Sequence, residues 1–288
     1  MASGLYSQHL ERPAIRHMRN GFLAILLLSL GLVVLLPLIY MFCWSFGPNT
    51  EMASSAYSIF PKVWSWESYK GFFEFSEYSV RWIWNSLIVA TSVVVLNVVF
   101  ASLAGYAFSK INFKGNKFLF FLILLGMMIP YQVTQVPLYI LFVNKFHLTN
   151  TYLALILPGC CTAYNIFLAK QFFSGIPTAL IENAKVEGAS QLRIFWSIIL
   201  PLSKTVLAVM AITTFMGNWN TFFWPFLITS DASMYTIQVG LKTFAYANGT
   251  LFSPMKAGAM VSALPMFILF FSLQKYFLEG VTIGAVKG

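Results

Sequence analysis

The residues best suited to specific chemistry lie in one short polar stretch between two apolar segments. It reads ENAKVEGASQLRIFWSIILP, from Glu182 to Pro201, and holds two of only nine acidic residues, together with Lys185 and Arg193. Charges on a short solvent-facing helix can pair with each other or bind complementary charges on a partner protein. The residues alone leave two interpretations open: a helix lying on lipid headgroups, with Glu182 and Lys185 as an ordinary surface pair, or a docking element.

Helix-start and helix-stop residues predict two short helices joined by a tight turn in this stretch. Pro177 suits the first turn of a helix because it has no amide hydrogen to leave unpaired. Gly188 suits a left-handed helix stop, Ser190 can cap the second helix, and Pro201 is expected to end it. One apolar stripe at i, i+3, i+4 and i+7 is predicted along the second helix: Leu192, Phe195, Trp196 and Ile199.

Polar and aromatic side chains inside the long apolar segments form a second candidate site. Amide and hydroxyl groups there could hydrogen-bond a solute in a water-filled path, or could instead hold neighbouring helices together. Two stretches are the strongest candidates, PYQVTQVP at 130–137 and NWNTFFW at 218–224, because kinked helices expose backbone that must line a cavity or be buried. The predicted pathway residues are Asn97, Gln132, Gln135, Tyr164, Asn165, Asn218, Trp219, Asn220 and Trp224.

Other reactive residue types lack the partners that catalysis or metal binding requires. The three histidines and three cysteines show no catalytic or CxxC-type ligand spacing, so neither an enzyme nor a metal site is predicted. No GxxxxGK[ST] phosphate loop occurs, and ATP is not expected to bind this chain in that manner. The interiors of the apolar segments lack Asp, Glu, Lys and Arg, which argues against the proton relay of a self-sufficient secondary transporter.

The composition indicates that these residues are carried by membrane-spanning helices. Hydrophobic residues make up 58% of the 288 residues and charged residues only 9%, far from the values of a soluble domain. A helix needs about 20 mainly apolar residues to cross a bilayer. Six segments meet that requirement: 21–44, 85–109, 118–142, 152–169, 205–228 and 257–276. The fold class predicted is an all-α integral membrane protein with six transmembrane helices.

The distribution of basic residues predicts the orientation. Of the 18 Lys and Arg residues, twelve fall on the side that carries both termini and the polar stretch, and six fall on the other. Cytoplasmic loops carry the excess of positive charge in membrane proteins, so both termini are expected in the cytoplasm. The net charge of +9 is scattered between apolar segments, and no nucleic-acid partner is predicted from it.

The polar stretch resembles the cytoplasmic coupling signature of ABC importer permeases, E-A-A-x3-G-x9-I-x-L-P. Asn183 replaces the usual first Ala and leaves the Glu and the Gly in place. The stretches NSLIVA, GYAFSKINFKG, MIPYQVTQVPLY, GNWNTFFWP and GAVKG are similar to the oligosaccharide-importing, maltose-type branch of the same family. The positions that align with the signature are Glu182, Asn183, Ala184, Gly188, Ile198, Leu200 and Pro201.

The resemblance implies a type I permease fold with a cytoplasmic helix–turn–helix coupling loop at 171–204. Glu182 would meet an ATPase surface and Gly188 would make the turn. The implied partners are a homologous second permease, two copies of an ABC ATPase that bind ATP and Mg²⁺, and an extracellular or periplasmic solute-binding protein. The permease itself would need no cofactor. It would move a sugar, as an oligosaccharide, across a bacterial inner membrane by alternating access.

The same resemblance suggests how the chain is divided. Residues 1–20 would be a cytoplasmic leader, 21–84 the first transmembrane helix with an external loop, 85–280 the core permease domain, and 281–288 a cytoplasmic tail. A further external segment, 229–256, is polar enough to protrude and would reach the binding protein.

Two other functions compete with this one. A stand-alone secondary transporter or channel for small polar solutes would work without an ATPase partner. A membrane enzyme or scaffold would require a catalytic constellation at the membrane surface, which the sequence does not contain.

Overall fold

The computed structural model describes residues 13–48, 58–245 and 252–285. Within these ranges helices are the only regular secondary structure. In chain order they are α1 (Pro13–Trp44), α2 (Glu67–Glu74), α3 (Ser79–Lys110), α4 (Asn116–Met128), α5 (Tyr131–Ile140, extended by a π-helical turn at Leu141–Lys145), α6 (Tyr152–Ile156, extended by a 3₁₀ turn at Leu157–Gly159), α7 (Ala163–Ser174), α8 (Thr178–Val186), α9 (Gln191–Ile194, extended by a π-helical turn at Phe195–Ile199 and a last turn at Leu200–Leu202), α10 (Lys204–Trp219), α11 (Phe223–Ile228), α12 (Ile237–Thr243) and α13 (Phe252–Ala285).

Three of the six spans are single helices and three are bent. Arg19–Trp44, Ser79–Lys110 and Ser253–Ser272 are each long and apolar enough to cross a membrane. Counting each bent helix pair as one span gives six in the described residues, the number predicted. The pairs and their bend angles are Asn116–Met128 with Tyr131–Lys145 (97°), Tyr152–Gly159 with Ala163–Ser174 (42°), and Gln191–Leu202 with Lys204–Trp219 (81°).

The bend between α4 and α5, and a further break between α10 and α11, have causes in the sequence. Ile129 precedes Pro130 and is extended, with φ −79° and ψ 119°, as the ring of a following proline requires. The predicted span 205–228 is interrupted between α10 and α11. There Thr221 Oγ1 donates to Gly217 O at 2.6 Å, and such local bonds compete with the helical ladder.

The chain forms two compact units, Met1–Gly71 with Leu251–Met260, and Phe72–Thr250 with Val261–Gly288. In the first unit the Lys256 ammonium lies 4.3 Å from the centroid of the Tyr40 ring and 5.6 Å from that of Trp44. A cation over an aromatic face is attracted by the ring quadrupole. These contacts attach the start of α13 to the end of α1.

In the second unit α3 packs against both α7 and α10. At Gly105 a Cβ would lie 2.6 Å from Ala169 Cβ and 2.9 Å from the backbone N of Lys170. Small residues allow membrane helices to approach closely, so Gly105 fixes the crossing of α3 and α7.

Segment 229–245 packs against α3, so the prediction that the whole of 229–256 protrudes is wrong for this part. Trp82 Nε1 donates to Ala232 O at 2.8 Å. Asn85 Nδ2 donates to Ser233 O and Tyr235 O, both at 2.9 Å. The carbonyl groups of this segment therefore accept hydrogen bonds from side chains of α3. These bonds hold the segment against α3.

Some predictions fall outside the described residues. These are the first 12 positions of the leader, 286–288 of the tail, 49–57 of the external loop and 246–251 of the external segment. The division into leader, external loop, core domain and tail stays a prediction.

Candidate functional site

Residues 171–204, called the polar loop below, contain the turn that the sequence predicts. Gly188 has φ +81°, a conformation that glycine adopts without a steric penalty. Its N–H donates to Lys185 O at 3.0 Å, and Ala189 N donates to Ala184 O at 2.9 Å, so the last carbonyls of α8 are paired as in a Schellman motif. Ser190 Oγ then accepts from Arg193 N at 3.3 Å and caps α9.

The predicted apolar stripe along α9 is wrong in two of its four positions. Phe195 and Ile199 are buried as predicted, but Leu192 is 63% exposed and Trp196 55% exposed, while Ile194 is buried in their place. The cause is the π-helical turn at Phe195–Ile199, because its wider spacing aligns Ile194 with the residue five positions later.

Two further boundaries differ slightly from prediction. Pro177 precedes the first residue of α8 instead of lying in its first turn. The helix that Pro201 was expected to end continues to Leu202 before the chain bends. Both differences are of one or two residues, which is the usual uncertainty in where a helix begins or ends.

The seven signature positions divide between the inside and the outside of the polar loop. Ala184 is buried, and Ile198 and Leu200 are half-buried against the same hydrophobic cluster. The others lie on the surface: Glu182, Asn183, Gly188 and Pro201. The signature therefore combines an apolar attachment with a polar, accessible face.

Two hydrogen bonds attach the polar loop to the end of α3. Tyr106 Oη donates to Gln191 Oε1 at 2.7 Å, and Lys110 Nζ donates to Ile176 O at 2.6 Å. Tyr106 also packs on Phe195, with ring centroids 5.5 Å apart. Since α9 continues through one bend into α10, movement of the polar loop would be passed to both α3 and α10.

The outer face of the polar loop carries exposed apolar side chains among its charges. Val186 is 89% exposed, next to Lys185 and Glu187 at the end of α8. With Leu192 and Trp196 it gives the loop three large apolar groups facing outward. An apolar surface rimmed by charge is typical of a protein-binding site.

Within the second unit, α3, α5, α6, α10 and α11 surround a cavity of about 270 Å³. Two predicted pathway residues line it, Asn218 and Trp224. Trp224 is held by a hydrogen bond from Nε1 to Ala154 O at 2.9 Å and by an edge-to-face contact with Phe142. Asn218 Nδ2 donates to Thr214 O at 2.9 Å.

Asn97 and Asn165 form a buried network next to this cavity instead of lining it. Asn165 Nδ2 donates to Asn97 Oδ1 at 2.6 Å and to Thr214 Oγ1 at 2.8 Å. Asn97 Nδ2 donates to Gly159 O at 2.8 Å and to Thr162 Oγ1 at 3.3 Å. The network joins α3, α7 and α10, which is the helix-bonding alternative that the sequence left open.

The other predicted pathway residues do not line the cavity either. Trp219 is buried and donates from Nε1 to Ser262 O at 3.0 Å, and Gln135 is buried with Oε1 unpaired among the described residues. Gln132, Tyr164 and Asn220 are exposed. A role for these five residues in a solute path stays a prediction.

Sequence reasoning missed several residues that line the cavity. Tyr131 and Thr221 belong to the two stretches singled out but were not selected within them. Ser86 follows Asn85 in the NSLIVA stretch, which could have indicated it. Thr236 comes from segment 229–245, and no sequence pattern connects it with the membrane helices.

Three kinds of comparison identify the family. Residues 97–282 match the model of the binding-protein-dependent transport system inner membrane component family. The arabinooligosaccharides transport system permease protein AraQ of Halalkalibacterium halodurans is 34% identical over 263 residues, 90% of this chain and 93% of that protein. The galactooligosaccharides transport system permease protein GanQ of Bacillus subtilis is 34% identical over 280 residues, 95% and 97% of the two chains.

The sn-glycerol-3-phosphate transport system permease protein UgpE of Yersinia pestis is 35% identical over 199 residues, covering 68% of this chain and 70% of that one. A solved structure also matches, the crystal structure of a bacterial ABC transporter involved in the import of the acidic polysaccharide alginate. Its TM-score is 0.82 at 23% identity, over 93% of this chain and 99% of that one. This likeness confirms the predicted permease fold. The chain belongs to the family of binding-protein-dependent transport system inner membrane components.

Proposed function

We propose that this chain is the membrane-spanning permease subunit of an ATP-driven importer that moves a sugar, as an oligosaccharide, by alternating access. Relatives over at least 90% of the chain are named for arabinooligosaccharides and galactooligosaccharides. Others are named for glycerol-3-phosphate and alginate, which are charged. Membership of the family and the cavity between the helices support transport.

The partners follow from what the chain has and what it lacks. We place the ATP and Mg²⁺ on two copies of an ABC ATPase, since this sequence contains no phosphate loop. A homologous second permease would complete the pore, and a solute-binding protein would deliver the sugar, as the family description implies. The permease itself would break no covalent bond.

The polar loop is the part that would bind the ATPase. Its outer face offers Val186, Leu192 and Trp196 as apolar anchors, with Glu182 as the acidic position of the signature. The Gly188 turn is the single observation that carries this assignment, since its left-handed geometry and the paired carbonyls at the end of α8 fix a tight turn between α8 and α9. A rigid element joined to α10 transmits movement to the membrane helices.

The proposed orientation has both termini and the polar loop in the cytoplasm of a bacterial cell, with the chain in the inner membrane. The basic residues are concentrated on that side. The ATPase subunits would then have access to cytoplasmic ATP.

The test substitutes the turn and the acidic position in the assembled transporter. Gly188→Pro and Glu182→Lys should each reduce ATPase co-purification and sugar-dependent ATP hydrolysis at least tenfold, with membrane insertion unchanged. Gly175→Ala is the matched glycine control, because Gly175 lies in the same loop with a right-handed φ of −77°. Glu67→Lys is the charge control, because Glu67 is an exposed acidic residue of α2, outside the polar loop.

Normal coupling in both Gly188→Pro and Glu182→Lys would overturn the role of the polar loop. Sugar uptake by the permease in vesicles without an ATPase would instead favour the stand-alone transporter or channel.

A further inference from the structure

We infer that the cavity holds one uncharged sugar ring of the transported chain and excludes acidic sugars. The inference rests on the proposed function and specifies its substrate. The cavity belongs entirely to this chain, between α3, α5, α6, α10 and α11. Four of its properties support the assignment: its size, its unused hydrogen-bonding group, its aromatic rings and its lack of charge.

The size suits part of an oligosaccharide. Pockets that enclose a whole drug-sized ligand have volumes of roughly 300 to 1,000 Å³. At about 270 Å³, this cavity lies just below that range, so it can enclose a single ring but not a complete trisaccharide. The remaining rings would contact surfaces outside this chain's cavity.

One polar group of the lining has hydrogen-bonding capacity that the described residues do not use. Asn218 is half-buried and lines the cavity; its Nδ2 donates to Thr214 O, and its Oδ1 remains available as an acceptor. The hydroxyl of Thr236 also has no partner among the described residues, but it is fully buried and does not reach the cavity. Polar groups normally have partners, and a sugar hydroxyl can donate to Asn218 Oδ1.

Aromatic rings supply the apolar part of the site. Trp224 lines the cavity with its indole N–H already bound to Ala154 O, so its ring is held in one orientation. Tyr131, which is more than half exposed, also lines the cavity. The flat apolar face of a pyranose or furanose ring can pack against such surfaces.

The lining is uncharged. Of the described residues that line the cavity, none is Asp, Glu, Lys, Arg or His. A carboxylate or phosphate that leaves water for this site would find hydroxyl and amide groups but no cation. Burial of an ionised group without a compensating charge is strongly unfavourable, whereas sugar hydroxyls need only the partners already present.

The experiment measures binding to the purified complex of both permeases and the ATPase, without the binding protein, by isothermal titration. The probes are trisaccharides of galactose, arabinose and glucose, together with galacturonic and glucuronic acid trisaccharides. We expect at least one neutral trisaccharide to bind, and both uronic acid trisaccharides to bind at least tenfold more weakly than it. Equal or tighter binding of either uronic acid trisaccharide would overturn the inference.

Variants then assign the binding to this cavity. Asn218→Leu removes the amide and should lower the affinity for the neutral trisaccharide at least fivefold. Asn218→Lys adds a cation and should raise the affinity for the uronic acid, relative to the neutral sugar, at least tenfold. Thr213 on α10 is the control, because its Oγ1 also donates to the carbonyl four residues earlier, Val209 O at 2.8 Å, but it does not line the cavity. Thr213→Leu and Thr213→Lys should leave both affinities within twofold.

The outcomes separate this inference from the proposed function. If no trisaccharide binds, or if Asn218 variants behave like Thr213 variants, the cavity is not a sugar site. ATP-dependent uptake of sugar with the binding protein present would still support the permease function. Absence of any ATP-dependent uptake would count against the permease function itself.

Discussion

Asparagines at membrane depth have opposite roles in two adjacent regions of this molecule. Asn97 and Asn165 are almost completely buried, and they bond to each other and to neighbouring helices. Asn218, four residues after Thr214 on α10, lines a cavity and keeps its carbonyl oxygen available. The residue type is the same, and so is the kind of apolar segment that carries it.

The difference shows what makes a polar membrane residue structural or functional. An amide whose donors and acceptor all face protein groups stabilises the contact between helices. Asn165 Oδ1 is also unpaired among the described residues, but it is buried and Asn165 does not line the cavity. An amide with an unused acceptor beside a cavity can serve a solute. Access to the cavity, together with the hydrogen-bond partners, therefore distinguishes the two regions, and substitutions in each region should have different consequences.

The largest loss of stability is expected from Asn97→Leu. This change removes bonds to Gly159 O and Thr162 Oγ1 and leaves Asn165 Nδ2 without one acceptor. Orphaned buried groups cost about 1–3 kcal/mol each in soluble proteins, and interhelical bonds in membranes average about 0.6 kcal/mol. We expect the free energy of unfolding to fall by about 2–3 kcal/mol, measured by denaturant titration in detergent.

Asn218→Leu serves as the comparison for that measurement, with an expected loss under about 1 kcal/mol, since only one bond to a backbone carbonyl disappears. Equal losses for the Asn97 and Asn218 variants would contradict the distinction between the two regions.

Gly159→Ala should affect both regions, with a smaller loss of stability. A Cβ there would lie 2.8 Å from Val93 Cγ1 and 3.2 Å from Asn218 Oδ1. Overpacking typically costs about 1–3 kcal/mol, and we expect about 1–2 kcal/mol together with weaker sugar binding, because Asn218 must move. Unfolding and titration measurements check both effects.

Gly217→Ala is the matched control, because Gly217 also lines the cavity but a Cβ there would have nothing within 4 Å. A Gly159→Ala protein as stable as Gly217→Ala would show that the two regions are not in contact through this residue.

Trp224→Phe should reduce stability less than Gly159→Ala does, and it changes a residue that lines the cavity. The ring remains but the hydrogen bond to Ala154 O is lost, so the cost to the free energy of unfolding is about 1 kcal/mol. The affinity for a neutral trisaccharide should fall a few fold, because the ring is no longer held in one orientation. Unchanged affinity would indicate that the ring does not contact the sugar.

The smallest effect is expected at segment 229–245, outside the membrane helices. The backbone N–H of Ser233 donates to Asp231 Oδ1 at 2.9 Å, and hydrogen bonds from Ser233 hold the pKa of Asp231 below its ordinary value of 3.8. A carboxyl group with a lowered pKa stabilises the folded state at pH values above its ordinary pKa. This stabilisation is lost as the pH falls through the pKa of the folded state. When the pH is lowered below 3.8, the melting temperature of the wild type should therefore decrease slightly more than that of Asp231→Asn. Thermal unfolding measured at a series of acid pH values checks this.

Sequence reasoning predicted the polar loop well because its geometry depends on local rules. Gly188 and Ser190 make the turn and the cap with residues a few positions away. The apolar stripe was half wrong because a π-helical turn changed the register in α9. Nothing in the periodicity of Leu192 and Trp196 indicates that turn.

The cavity was harder to predict because its residues come from distant parts of the chain. Asn218 and Trp224 were recognised from composition, but Thr236 enters through segment 229–245, which is pinned by Trp82 and Asn85. The bonds of those two residues to the segment cross about 150 residues of sequence. Polar residues within an apolar segment show only that a partner is needed, not which partner the fold supplies.

The sequence by itself determined that this chain is helical, has six segments apolar enough to span a membrane, and carries a polar stretch with the residue spacing found in its family's permeases. Apolar length, charge placement and the spacing of Gly and Pro act locally, so they can be read without coordinates. Tertiary structure alone decided which asparagines hold helices together and which one faces a cavity. The physical reason is that a buried amide takes its role from the groups within hydrogen-bonding distance, and packing brings those groups there from remote segments.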